Sequence, residues 1–192
     1  MMHSVIISSP VGALALEVSE DENLRGIELL PRGREMDLEA SSEFRCRLSG
    51  ETALRAWVMD AYAGNFPINS PIVDVIYQLG RYFQDPGWRF RFPLALEGTP
   101  FQRRVWRALQ SIPSGQTISY GMLAARIGSC ARAVGSACRK NPIPIVIPCH
   151  RVVGARGPGG FMGSRTGEPL AIKKWLLAHE FLRGRKNGDN TS

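Results

Sequence analysis

Residues 141–148 read NPIPIVIP, three prolines in eight positions around a β-branched apolar run. Proline locks φ, removes a backbone donor and biases its predecessor toward extended geometry, so no regular helix passes through this stretch. The reading is an extended, buried segment that holds Cys149 on a rigid support, with Pro148 fixing the backbone immediately before it. His150 follows directly, but neighbours on a strand point to opposite faces, so the two side chains need not touch. A buried cysteine is commonly inert packing, and that plain reading stands until the surroundings say otherwise.

Around this segment the pattern changes along the chain. VIISSPVGALALEVSEDENLRGIEL carries short apolar runs broken at SPVG and SEDEN, which predicts a small hairpin-rich sheet. Residues 31–47 are charged and read as irregular or partly helical. Helices are expected around 50–62 and 73–84, and DPGWRFRFPLAL reads as a turn, a strand of alternating Arg and Phe, and an exit. In LEGTPFQRRVWRALQSI, Thr99 can cap a helix, Pro100 suits its first position, and Phe101, Val105, Trp106 and Leu109 share one face. A domain boundary is therefore expected at residues 93–98. SIPSGQ reads as a turn, and ISYGMLAARIG and SCARAVGSACRKN as two short helices about Gly128 and Ser129, a helix-turn-helix pattern. LAIKKWLLAHE makes a helix docked through Leu170, Lys174, Leu177 and His179, and residues 183–192 read as a disordered polar tail.

With 44% hydrophobic and 21% charged residues the chain is not a disordered one. The formal net charge of +7 hides an asymmetry: residues 1–95 hold 9 Lys+Arg against 13 Asp+Glu (−4), and residues 96–192 hold 15 against 4 (+11). A second half this basic is the footprint of a polyanion partner, because each neutralised phosphate releases condensed counterions. Four scattered cysteines without a Cys-x-x-Cys pair, and only three histidines, point to neither a disulfide framework nor a metal site, and no cofactor is expected. No apolar run reaches the roughly 20 residues of a membrane span, and the start lacks a signal-peptide pattern, so the expectation is a cytoplasmic protein without membrane contact.

A reactive thiol needs a base, because an unperturbed cysteine near pKa 8.5 is mostly protonated at neutral pH. His150 is the nearest candidate, acting directly or through water, and a carboxylate should orient it. The second half offers only Glu97, Glu168, Glu180 and Asp189, and Glu180 closes the docked helix, which makes it the best fixed of the four. In the second helix of the helix-turn-helix, Ala131, Ala133, Gly135 and Ala137 either pack closely on another helix or, with Arg132, Arg139 and Lys140 flanking them, approach a DNA backbone.

IPCHRVVG, GTPFQRRVW, IPSGQTISYGMLA, ARAVGSACRKNP and KKWLLAHE, and more loosely SPVGALAL and YQLGRYF, resemble the O6-alkylguanine-DNA alkyltransferase (methylated-DNA–protein-cysteine methyltransferase) family over roughly residues 5–182. The resemblance implies an α/β protein of two domains: a small RNase H-like one at 1–95, and a mainly helical one at 96–182 with the helix-turn-helix and the active cysteine. It implies that Cys149 takes an alkyl group irreversibly from O6 of guanine, and from O4 of thymine, with Glu180, His150 and a water as proton relay. Arg132 matches a side chain inserted into the base stack, Tyr120 one beside the flipped nucleotide, and Ala131 and Gly135 lie on the same DNA-facing helix. Asn141 matches a residue joining that helix to the active-site segment, although a helix-ending Asn before Pro would look the same. Pro144, Val152, Phe161, Met162 and Cys138 match the substrate pocket, with Val152 and Phe161 equally readable as core. The partner implied is double-stranded DNA carrying O6-alkylguanine, bound by a monomer.

Two departures stand out. GGFMGSRTGEPL has Ser164 where the family pattern has a second glycine, followed by extra residues; Ser164 would be strained if that place requires a positive φ, unless Thr166, Gly167 and Glu168 reroute the loop, and an altered substrate lid is expected either way. Cys138 would place a second thiol beside the site. Two other functions compete. In the family's alkyltransferase-like relatives, which bind alkylated DNA without reacting, the cysteine is replaced, so the resemblance with Cys149 present disfavours that reading, and a cysteine hydrolase would leave the basic half unexplained.

Overall fold

Apolar alternation in the N-terminal run becomes three antiparallel strands, β1 (His3–Ser9), β2 (Gly12–Val18) and β3 (Leu24–Leu30), in that order. The structure, a computed structural model, describes residues 3–21, 23–30, 50–62 and 69–186. Leu14, Leu16 and Val18 of β2 face the core while Glu17 faces solvent. At the β1–β2 hairpin the Ser9 hydroxyl donates to Gly12 O at 2.6 Å and accepts from Val11 N at 3.2 Å, which satisfies a buried side chain locally.

Helices α1 (Glu51–Tyr62) and α2 (Pro71–Gln84) follow where periodicity places them. α2 begins on Pro71 and buries Ile72, Val75, Ile76, Leu79 and Phe83 at spacings of three and four. Gly80 lets α1 approach, since a Cβ there would run into Leu54 and Trp57. Residues 31–47 lie outside the described residues. The expected Arg/Phe strand does not form: Phe90 instead packs in tilted contact with Phe92 and Tyr82, centroids 5.6 and 5.7 Å apart, and Arg91 N donates to the Gln78 side chain at 2.8 Å. Aromatic packing and the following Pro93 replace the ladder, leaving one parallel bridge, Leu24↔Leu94.

The chain divides into two compact units, Met1–Ala95 and Leu96–Ser192. Among its described residues the first is an antiparallel three-stranded sheet with two helices, and the RNase H-like expectation is seen only to that extent.

The second unit starts with α3 (Pro100–Gln110), whose capping box is complete: Gln102 N donates to Thr99 Oγ1 at 3.2 Å and Thr99 N to Gln102 Oε1 at 2.8 Å. Val105, Trp106 and Leu109 are buried, Phe101 half-buried. Strand β4 (Ile118–Ser119) runs straight into α4 (Tyr120–Arg126), where Ser119 caps Met122 N at 3.1 Å. A four-residue turn with Gly128 at φ 62° leads to α5 (Ala131–Arg139). The close-packing reading of the small residues on α5 holds for Ala137. Ala137 packs inward, its carbonyl accepting from Trp106 Nε1 at 3.0 Å, while Ala131 is exposed.

Strand β5 (Val152–Val153) pairs in parallel with β4, Ile118↔Val152 and Ser119↔Val153. This short pairing sets the start of α4 beside the chain leaving Cys149. α6 (Gly167–Lys186) closes the unit and makes residues 183–186 helical where a tail was expected; residues 187–192 lie outside the described residues. Its buried stripe is Ile172, Lys173, Trp175, Leu176, His179 and Glu180; the expected Lys174 is exposed and Leu177 half-buried. No helix among the described residues is long and apolar enough to cross a membrane.

Candidate active site

NPIPIVIP is not extended. Ile147 N donates to Ile143 O at 2.9 Å, closing a turn, and Ile145 sits at φ 75°, which a β-branched residue adopts only under constraint. Fixed proline φ angles suit a tight turn as well as a strand, and folding back buries Ile143, Ile145, Val146 and Ile147 together. The strain at Ile145, on the order of 1–3 kcal/mol, is offset by that burial. Asn141 ties the turn together: its Oδ1 accepts from Ile143 N at 3.1 Å, and its Nδ2 donates to Ile147 O at 2.8 Å and to Cys149 Sγ at 3.2 Å. Cys149–Arg151 is one turn of 3-10 helix, so Cys149 and His150 do not alternate across a strand. The Cys149 side chain is buried, which pushes its thiol pKa up, while the Asn141 amide and the Lys173 charge pull the other way.

His150 is wholly buried, with Nε2 2.9 Å from Glu180 Oε1. A carboxylate only accepts, so Nε2 carries the proton and Nδ1 is a bare nitrogen, without a partner among the described residues. Burial lowers the imidazole pKa despite the adjacent Glu180, which keeps the ring neutral at pH 7. Glu180 is held from three sides. Arg151 donates through Nε to Oε2 at 2.9 Å and through Nη2 to Oε1 at 2.8 Å, and Gly115 N donates to Oε2 at 3.2 Å. Burial alone would raise this carboxyl, but His150 and Arg151 outweigh it and hold it well below the usual carboxylate range. The third Arg151 donor, Nη1, anchors the guanidinium on Ile112 O.

Cys149 lines a cavity of about 470 Å³. Its walls are α5 (Ala131, Arg132, Gly135, Cys138, Arg139), Tyr120 at the head of α4, and a glycine-rich stretch from Gly154 to Arg165. Lys173 lies behind the wall without solvent exposure: Nζ donates to Val152 O at 2.6 Å and Gly160 O at 3.0 Å, and sits 5.7 Å from the Tyr120 ring centroid. Tyr120 Oη donates to the same Gly160 O at 3.3 Å. Burial lowers Lys173 to about 8, against the pull of Cys149 and Cys138, and raises both Tyr120 and Cys138 to about 12.

The profile of the 6-O-methylguanine DNA methyltransferase DNA binding domain matches residues 100–181. A methylated-DNA–protein-cysteine methyltransferase of Shigella flexneri is 36% identical over 91% of this chain and 92% of its own length. That relationship decides the matter. The chain belongs to the methylated-DNA–protein-cysteine methyltransferase family. A family member from Mycolicibacterium paratuberculosis is 57% identical over 55% of this chain, a match spanning 62% of that relative. The Mycobacterium tuberculosis OGT crystallised in complex with DNA superposes with a TM-score of 0.63 at 32% identity, covering 94% of each chain.

Within this family frame the structure brings Cys149, His150, Glu180 and Asn141 into one connected cluster, and Tyr120, Ala131, Arg132, Gly135, Cys138, Phe161 and Met162 around one cavity. Pro144 and Val152 are buried but form no part of the cavity wall: the turn at 143–147 takes Pro144 inward, and Val152 contributes its carbonyl to Lys173 instead. Arg151 and Lys173 were not legible as site residues, because cations in a basic half read as surface.

The lid also differs from expectation. Phe161 and Ser164 exchange backbone hydrogen bonds of 2.8 and 2.9 Å across a two-residue turn, in which Met162 (φ 50°) and Gly163 (φ 83°) take the left-handed conformations. Ser164 is therefore not the strained residue; Met162 is. Gly159 combines a positive φ of 72° with a close approach, its Cβ site only 2.9 Å from Tyr120 Cε2. Gly159→Ala is expected to cost about 1–3 kcal/mol and lower the melting temperature by several degrees. Gly157→Ala, with open space around it, should leave the melting curve in place. Equal shifts in the two variants would remove the Tyr120 contact from the account.

Proposed function

We propose that the protein repairs alkylated DNA by taking the alkyl group from O6 of guanine, and from O4 of thymine, onto Cys149. The observation that carries this reading is a buried thiol, fixed by Asn141 at the wall of an open cavity, next to a neutral histidine whose bare Nδ1 can receive a proton. The Cys149 proton passes to His150, directly or through water, and the resulting imidazolium is stabilised by the Glu180 carboxylate. The thiolate sulfur attacks the alkyl carbon in line, a C–S bond forms, the C–O bond breaks, and guanine leaves with a proton. Tyr120, kept protonated by burial, can turn its single O–H from Gly160 O to the base.

An atom inside a duplex cannot reach a buried thiol, so the nucleotide must be extruded. Arg132 is exposed on the first turn of α5 at the edge of the cavity and is suited to fill the gap left in the stack. The two short helices then serve as a helix-turn-helix against the duplex, with exposed Arg139, Lys140 and Arg165 available to phosphates. Arg151 and Lys173 face inward and add nothing to that surface. Every group named belongs to one chain, so a monomer suffices.

The test is Arg132→Ala on two substrates. Extrusion costs roughly a few kcal/mol that a free base never incurs. Transfer from a methylated duplex should therefore fall at least tenfold, while transfer from O6-benzylguanine as a free base stays near wild type. Equal loss on both substrates would place Arg132 in the fold or the pocket instead.

A further inference from the structure

Cys138 has no part in the reaction above, yet it lines the same cavity as Cys149. Asn141 joins the two: its backbone N–H bonds Cys138 O at 3.2 Å, and its side chain touches Cys149 Sγ at 3.2 Å. Cys138 is nearly buried on the inner side of α5, so its sulfur faces the cavity region rather than bulk water. Lys173, lowered only to about 8, still carries its charge at neutral pH behind the wall that both cysteines line. The cavity thus holds two sulfur nucleophiles where transfer to one thiol needs only one.

We propose that Cys138 is a second acceptor that captures bifunctional adducts, the 2-haloethyl groups on O6 of guanine, closing them into a Cys149–S–CH2–CH2–S–Cys138 bridge. The proposal rests on Cys149 being the primary acceptor. Transfer first gives Cys149–S–CH2–CH2–halide. Its sulfur lone pair then displaces halide, forming a three-membered episulfonium ion. The Cys138 sulfur attacks one ring carbon, the ring C–S bond opens back to a neutral thioether at Cys149, and the Cys138 proton is released to water in the cavity. The balance is one halide ion and one proton released, with no oxidant or reductant. A methyl group on Cys149 has no leaving group, so simple methyl repair stops at one thiol. Without Cys138 the episulfonium ion would face water or a DNA nitrogen, and the second outcome joins protein to DNA.

The experiment uses the full chain and two duplexes, one with O6-methylguanine and one with freshly prepared O6-(2-chloroethyl)guanine. It is scored only on molecules in which Cys149 is alkylated. Of the four cysteines, denatured protein should lose one titratable thiol with the methyl duplex and two with the haloethyl duplex, and digestion should release the Cys138 and Cys149 peptides as one linked species. Cys138→Ser should give no linked peptide and a rise in hydroxyethyl-Cys149 or protein–DNA adduct. Loss of a single thiol with the haloethyl duplex, or a bridge to a cysteine other than Cys138, overturns the proposal. Failure of the methyl duplex to alkylate Cys149 would instead overturn the proposed function.

Discussion

Mixed with excess duplex carrying O6-methylguanine, the protein is expected to gain one methyl group per molecule, all of it on Cys149, and then to stop. The thioether formed is a poor leaving group. His150 and Glu180 are arranged to move a proton, not to direct a nucleophile at a methyl carbon on sulfur. Removing the sulfur removes the reaction entirely, so Cys149→Ala should show no transfer above background while still binding the duplex, because the exposed basic residues Arg132, Arg139 and Lys140 of the second unit do not depend on the thiol. Intact mass before and after incubation, followed by peptide mapping, reads both outcomes. Repeated turnover by wild type, or alkylation persisting in Cys149→Ala, would contradict the assignment.

Glu180→Gln should damage both the chemistry and the fold. General acid–base assistance of this kind contributes about 10²–10⁴-fold, and a neutral amide cannot stabilise a charged His150, so transfer should slow by at least tenfold. The same change leaves the Arg151 guanidinium facing an uncharged group in a largely buried cluster, and breaking such a pair costs about 3–5 kcal/mol. Acid titration separates this from a generic loss. The Glu180 pKa is depressed in the fold, so its stabilisation is complete above the ordinary carboxylate pKa and is lost as pH falls through the folded value. The His150 pKa is also lowered, so below its ordinary 6.5 the unfolded chain takes up a proton that the folded one refuses, and stability again falls with pH. Wild type should therefore lose stability steeply on the acid side, and Glu180→Gln, already less stable at pH 7, should show a shallower slope. Unchanged rate and unchanged acid slope would reduce Glu180 to the end of a helix.

Duplex affinity is expected to fall steeply as salt rises from about 50 to 200 mM, because phosphate contacts by a half carrying +11 would release counterions.

What could be read from the chain is what neighbours in sequence decide. Thr99 with Pro100 and Gln102 starts α3 because capping needs residues three apart, and the stripes of α2 and α3 follow from a period near 3.6. Cys149, His150 and Glu180 were legible together from chemical type and from the docked helix, while their roles in alkyl transfer came from the family resemblance. Tertiary structure alone decided the rest. Three prolines exclude a helix but leave turn and strand equally open, and only the burial of Ile143–Ile147 as a unit selected the turn that carries Cys149. Lys173 and Arg151 look like surface cations until α6 meets the 3-10 turn, where backbone carbonyls and Glu180 repay their loss of water. The buried face of α6 runs through Lys173 rather than Lys174 for the same reason: hydrophobicity cannot announce a lysine whose partners, Val152 O and Gly160 O, lie 21 and 13 residues away.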